Sequence, residues 1–132
     1  MKNLSNFYIS GQWVNPISEA SMPVLNPATE EQIGTVALGN TADVDSAVAA
    51  AKSAFDSFSL TSKADRLALL KALKAVTEKR FEDLAQAMRI EMGAPISMAR
   101  DAQADAAIGH LIGFIEALET LEERSVLSNS DI

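Results

Sequence analysis

The chain has 132 residues, 48% of them hydrophobic and 22% charged, a balance that excludes disordered and fibrous classes and suits one domain. It contains no cysteine and a single histidine, His110, which rules out disulfides, thiolate metal sites and a cysteine nucleophile. Eleven Lys and Arg against 18 Asp and Glu give a net charge of −7, and no basic stripe stands out, so a nucleic-acid partner is not expected.

No run reaches the roughly 18 apolar residues of a membrane span, and the opening MKNLSNFYIS lacks the apolar core of a secretory signal. A cytoplasmic protein with no membrane partner is the expectation. The first forty residues hold three of the four prolines and three of the six glycines, together with most β-favouring residues. Phe7-Tyr8-Ile9, then Ser10-Gly11, then Gln12-Trp13-Val14 is a hairpin pattern. A second strand pair is predicted at Ser21 to Leu25 and Gln32 to Leu38, with Asn26-Pro27 opening the turn between them. Pro23 cannot donate to a neighbour and argues for an edge strand.

From Thr41 the apolar period becomes helical, with Thr41 read as the N-cap and Asp43 and Asp45 near the positive end of the helix dipole. Val44, Ala47, Val48, Ala51, Phe55 and Phe58 form its stripe. Ser59 to Ser62 breaks that helix, and Ser62 with Asp65 resembles a capping box for the next, whose stripe is Leu67, Leu70, Leu73 and Val76. A third helix carries Phe81, Leu84, Ala85, Met88 and Met92 and closes at Gly93. Pro95 suits the first turn of a fourth, running to about Glu123, with Ile96, Ala99, Gln103, Ala106, Ala107, His110, Leu111, Phe114, Leu118 and Leu121 as its stripe. Ala102, Ala106, Gly109 and Gly113 make a small-residue seam on it, suited to close approach of a neighbouring element. Residues 124–132 have no period and read as a loose tail. The fold class is therefore α+β and mostly helical: hairpin strands over 1–40, four amphipathic helices over 41–123, within a single domain spanning 1–132.

Few side chains suggest chemistry. His110 as a general base would need an orienting partner; Asp105, five residues earlier, is not on its face, and Asp101 is further off. A packed or half-exposed structural histidine is the simpler reading. Arg66, Arg100 and the turn of Asn26, Thr29, Glu30 and Glu31 could bind an anion, but caps and surface ion pairs account for them. Neither phosphate-loop glycine pattern occurs, and the pairs Asp43/Asp45 and Asp101/Asp105 lack calcium-loop spacing. Met88, Met92 and Met98 are expected to fill the core. No catalytic, cofactor-binding or metal-binding residue is assigned.

Several segments, taken in order, resemble the N-terminal part of the NAD(P)-dependent aldehyde dehydrogenases. These are Tyr8-Ile9-Ser10-Gly11-Gln12-Trp13-Val14, then Val24-Leu25-Asn26-Pro27-Ala28-Thr29-Glu30-Glu31-Gln32-Ile33-Gly34. Asp43-Val44-Asp45-Ser46-Ala47-Val48 through Phe55 follows, then Arg66-Leu67 with Leu69-Leu70, and Glu91-Met92-Gly93-Ala94-Pro95. The resemblance covers about residues 7 to 121. It implies an oxidoreductase in which a cysteine attacks the aldehyde, hydride passes to a nicotinamide, and a glutamate assists hydrolysis to the acid. That cysteine, the glutamate, the oxyanion asparagine and the glycine-bearing cofactor motif would all lie downstream of Ile132. The expectation is thus an N-terminal scaffold segment, a truncated fragment of the cofactor domain that binds no cofactor and is inactive alone, whereas the parent family uses NAD(P). Its apolar helix faces favour self-association into a homo-oligomer. The alternative is a stand-alone helical interaction or oligomerisation module.

Overall fold

Short alternating runs at the N-terminus form strands, and a turn that only certain residues can make joins the first pair. The computed structural model describes residues 2–122 (backbone alone for 2–4) and the backbone of 126–127 and 130–131. Strands β2 (Phe7–Ile9) and β3 (Gln12–Val14) pair antiparallel, with Phe7 opposite Val14 and Ile9 opposite Gln12. Ser10 and Gly11 between them have φ of 52° and 77°, the double positive-φ turn whose twist matches the strands it joins. Tyr8 and Trp13 face one another across the hairpin with ring centroids 5.2 Å apart and planes at 59°, and both remain largely exposed.

The second predicted pair is also present, as β4 (Ser21–Leu25) and β5 (Gln32–Ala37), antiparallel. The connecting turn is tied by Asn26, whose side-chain oxygen accepts from the Ala28 N–H at 2.9 Å. Strand β1 (Lys2–Leu4) lies parallel to β5 on its other side, so the sheet order is β1-β5-β4 and Pro23 sits on an edge as expected. Strand β1 itself was not foreseen. Three residues with no alternation carry no period, and its partner lies about thirty residues away.

Helix α1 (Thr41–Phe58) starts one residue earlier in the chain than the Thr41 cap implied. Asn40 is the N-cap: its side chain accepts from the Asp43 N–H at 3.1 Å, while Asp43 accepts from the Asn40 N–H at 2.9 Å. Helix α2 (Lys63–Lys79) opens with the Ser62–Asp65 box as predicted. Helix α3 (Phe81–Met92) ends at Gly93, whose φ of 72° is the left-handed C-terminal conformation. Pro95 then precedes α4 (Ile96–Met98) as its N-cap and does not lie within its first turn.

The fourth predicted helix is not uniformly α-helical. After α4 comes a π segment (Ala99–Ala104), then α5 (Asp105–Thr120), ending short of Glu123. The π turn inserts an extra residue, so Ala99 and Ala104, five apart, are both fully buried. The predicted stripe is only partly kept from there on: Gln103, Ala107, Leu111 and Leu118 are half-buried, Ala106, His110, Phe114 and Leu121 are exposed, and Ala104, Ile108 and Ile115, outside the stripe, turn inward.

The core is made of small residues. Ala85, Ala94, Ala99 and Ala104 form it, where α3 crosses the π segment, with Phe81, Leu84, Met88 and Ile96 packed around them. Helix α2 lies along α5, with Leu67 and Leu70 half-buried but Leu73 and Val76 exposed. Of the three methionines expected to fill the core, Met88 does, whereas Met92 and Met98 are exposed because each falls where its helix ends. Helix α1 rests mainly on β2, and its whole predicted stripe is open to solvent. In the tail, Val126–Leu127 pairs with Ser130–Asp131; the looseness expected there otherwise falls outside the described residues. Among the described residues no helix is long and apolar enough to cross a membrane.

Candidate functional site

The polar side chains that could carry chemistry are mostly engaged in holding elements together. Asp43 is buried, at 6% exposure, and its carboxylate accepts three backbone N–H groups. These come from Ile17 at 2.8 Å, Asn40 at 2.9 Å and Ser18 at 3.3 Å. The Ile17 N–H, then that of Asn40, holds the carboxyl below the usual aspartate range; burial opposes this and the Ser18 N–H adds to it. An anion held by three donors has little capacity left for a substrate. Asp43 is a joint that fastens the loop after the hairpin to the start of α1.

Glu82 and Arg100 form a second joint, between α3 and the π segment. Arg100 donates twice, from Nε to Oε2 at 2.9 Å and from a terminal nitrogen to Oε1 at 2.7 Å, and Gln86 adds a bond to Oε1 at 2.8 Å. The Arg100 bonds, followed by Gln86, lower the Glu82 carboxyl to about 2, and the same pair raises Arg100. Arg66 closes the α1–α2 connection, donating to Thr61 Oγ1 and to the Ser59 carbonyl, each at 3.0 Å. Lys63 caps the C-terminal end of α5 by donating to the carbonyls of Glu119 at 3.0 Å and Leu121 at 2.9 Å. Both arginines weighed as anion ligands are therefore local ties, as the simpler reading held.

His110 is exposed on α5, not packed, because the π segment turns it outward; Asp101 and Asp105 are exposed too. The structure brings none of these three together into a hydrogen-bonded unit among the described residues. The buried Gln103 Oε1, in the π segment, has no hydrogen-bond partner among the described residues. Its only signal in the sequence is a lone amide in an alanine-rich run.

Two open grooves flank the strands. One, of about 440 Å³, is lined by Asn15, Ser18, Glu19 and Thr35; the other, of about 560 Å³, by Phe7, Tyr8, Ile9, Asp43 and Val44. The first groove holds one carboxylate, Glu19, to which no Ser or Thr hydroxyl hydrogen-bonds among the described residues, and the second holds Tyr8 and Asp43, the latter already taken up by backbone N–H groups. Among the described residues no three His, Asp or Glu side chains gather as a metal site would require. The geometry describes a framework of caps and clamps around an alanine core.

That framework matches known proteins along nearly its whole length. The aldehyde dehydrogenase family profile matches residues 13–131. A 3-succinoylsemialdehyde-pyridine dehydrogenase from a Pseudomonas species is 43% identical over 113 residues, covering 85% of this chain and 24% of that protein. The crystal structure of an aldehyde dehydrogenase from Bartonella henselae superposes with a TM-score of 0.94 at 38% identity, covering 96% of this chain and 27% of the other. Aldehyde dehydrogenase C from Pseudomonas syringae, solved with NAD+ and octanal, gives a TM-score of 0.91 at 42% identity, covering 95% of this chain and 26% of its own. The chain belongs to the aldehyde dehydrogenase family. It spans about a quarter of the length of these relatives.

Proposed function

We propose that this chain is the N-terminal scaffold segment of an NAD(P)-dependent, cytoplasmic aldehyde dehydrogenase and neither binds the cofactor nor turns over aldehyde by itself. The observation that carries this reading is the outward seam of Ala102, Ala106, Gly109 and Gly113. All four are exposed, and a Cβ built on either glycine meets nothing within 4 Å. In an exposed helix each glycine costs about 0.5–1 kcal/mol relative to alanine and returns nothing, whereas against a closely packed neighbour it allows backbone approach. The apolar groove between α2 and the C-terminal end of α5, lined by Leu70, Phe114, Ala117, Leu118 and Leu121, offers a further surface to cover. Roughly three quarters of the relatives' length lies beyond what this chain matches, ample to supply that cover. The parent protein would oxidise aldehydes to acids, with its cysteine, glutamate and cofactor motif supplied by that remainder. The fragment's part is to hold the cofactor domain's flank.

The test is complementation. The 132-residue chain, co-expressed with the Pseudomonas syringae enzyme lacking its matching segment, is expected to restore NAD-dependent octanal oxidation, while the purified chain alone shows none. Turnover that follows the 132-residue chain through a sizing column would overturn the proposal, as would failure of the pair to associate.

A further inference from the structure

We infer that α1 is a self-pairing helix: two copies of this chain associate through their α1 helices, antiparallel, with Asp45 of each copy against Lys52 of the other. The spacing of the exposed stripe carries the first part. Within that stripe, Val44, Val48, Ala51, Phe55 and Phe58 are separated by 4, 3, 4 and 3 residues, the repeat of a left-handed coiled-coil seam, with Ala47 of the stripe flanking it. All five are exposed, with Phe55 at 66% and Val44 at 58%. Helix α1 is fastened at its N-terminal end, by Asp43 and β2; Val44 borders the open groove beside Phe7, Tyr8 and Ile9, and the seam from there to Phe58 stays exposed. A seam with this repeat fits another helix.

The choice of partner and direction comes from size and charge. In the antiparallel register that brings Val48 over Ala51 of the second copy, Val44 meets Phe55, and the two-fold axis repeats both layers. Each layer then sets a larger residue against a smaller one, so the helices can run at constant separation. The residues flanking the seam on one side are Asp45 and Lys52, both exposed and in no ion pair among the described residues. The same register places Asp45 opposite Lys52 of the second copy, twice over, as a two-fold interface demands. On the other flank stand Ala47 and Ala54, neutral and small. A parallel pairing would stack Phe55 on Phe55 and Ala51 on Ala51 and set Lys52 against Ala47, with no charge pair at all. This pairing goes beyond the scaffold reading and uses a different helix from the seam on α5.

Sedimentation of the intact 132-residue chain across a broad dilution series tests it, with a dimer of twice 14.1 kDa expected at the concentrated end. Asp45→Lys and Lys52→Asp singly replace two attractive pairs by two repulsive ones and are expected to weaken the dimer by about tenfold or more, largely reversed at high salt. The double variant, Asp45→Lys with Lys52→Asp, restores the pairs and is expected to recover the original affinity. Helical circular dichroism of each variant confirms folding, since both positions are on the surface. A monomer at every concentration, or a dimer indifferent to the charge changes, would overturn the inference. Weakening by both single changes without rescue in the double would overturn the antiparallel register.

Discussion

Helices α1 and α5 are of similar length and both carry an apolar stripe, yet they have opposite fates. Helix α5, entered through the π segment, lies against α2 and contains the buried Ile115, while α1 leaves Val44, Val48, Phe55 and Phe58 in solvent. Stripe strength does not separate them. Burial is decided by whether a second element lies alongside, and for α5 that element is α2, clamped to it by Lys63 and by the 2.8 Å Lys71–Glu119 pair. The difference teaches that a period in sequence specifies a face, not its cover.

The sharpest way to test that contrast is to truncate one large residue on each helix. Ile115→Ala removes a nearly buried side chain and is expected to cost about 2–5 kcal/mol in urea unfolding. Phe55→Ala removes a larger side chain that is 66% exposed and, at dilutions where the chain is monomeric, is expected to stay within about 0.5 kcal/mol of the parent. Equal losses at the two sites would show that α1 is covered in solution by something within its own chain.

Glycines divide along the same line, with opposite signs. Gly93 has a φ of 72°, and a Cβ there would stand 2.7 Å from Pro27 Cγ, so Gly93→Ala meets both a strained backbone and a ring with little room to yield. A loss of about 1–3 kcal/mol is expected in thermal melting followed by circular dichroism. Gly109 lies in the exposed seam of α5, in open space, and Gly109→Ala is expected to stabilise the isolated chain by about 0.5–1 kcal/mol. If the complemented enzyme loses activity with the same alanine, the seam packs against the parent's remainder.

Much of this arrangement was legible in the residues, and the exceptions have physical causes. The hairpin, the edge strand with Pro23, the Ser62–Asp65 box and the Gly93 terminus were readable because each rests on local backbone chemistry. The cap at Asn40 was misplaced by one residue because Thr41 is an equally good cap by type, and only the reciprocal bonds with Asp43 choose between them. Asp43 was visible as a dipole-favoured carboxylate, but its grip on Ile17 and Ser18 is a contact across about 25 residues that no local pattern encodes. The outward turn of His110 was hidden by the π segment, since the alanines there fit either period. Family membership was legible in ordered short segments, and chemistry was not, because the residues quoted are turns, caps and packing faces.

The smallest expected effect concerns the Glu82–Arg100 joint, which is exposed on both sides and so contributes little at neutral pH. Its pH dependence nevertheless has a definite sign. Folding lowers the Glu82 carboxyl from 4.5 to about 2, chiefly through the two Arg100 bonds, so the folded chain holds its carboxylate where the unfolded chain would take a proton. The stabilisation is complete above about 4.5, falls away as pH drops through that interval, and is gone below about 2. Asp43 and Asp65 are lowered as well and lose their contributions on the same acid side, so the parent weakens there for several reasons at once. Glu82→Gln isolates one of them. The variant keeps an acceptor for Arg100 but has no proton to gain, so the gap between parent and variant in urea melts is expected to close as pH falls through the interval. A gap that stays constant from neutral pH into acid would mean that the joint works through packing of the Arg100 and Glu82 stems and not through charge.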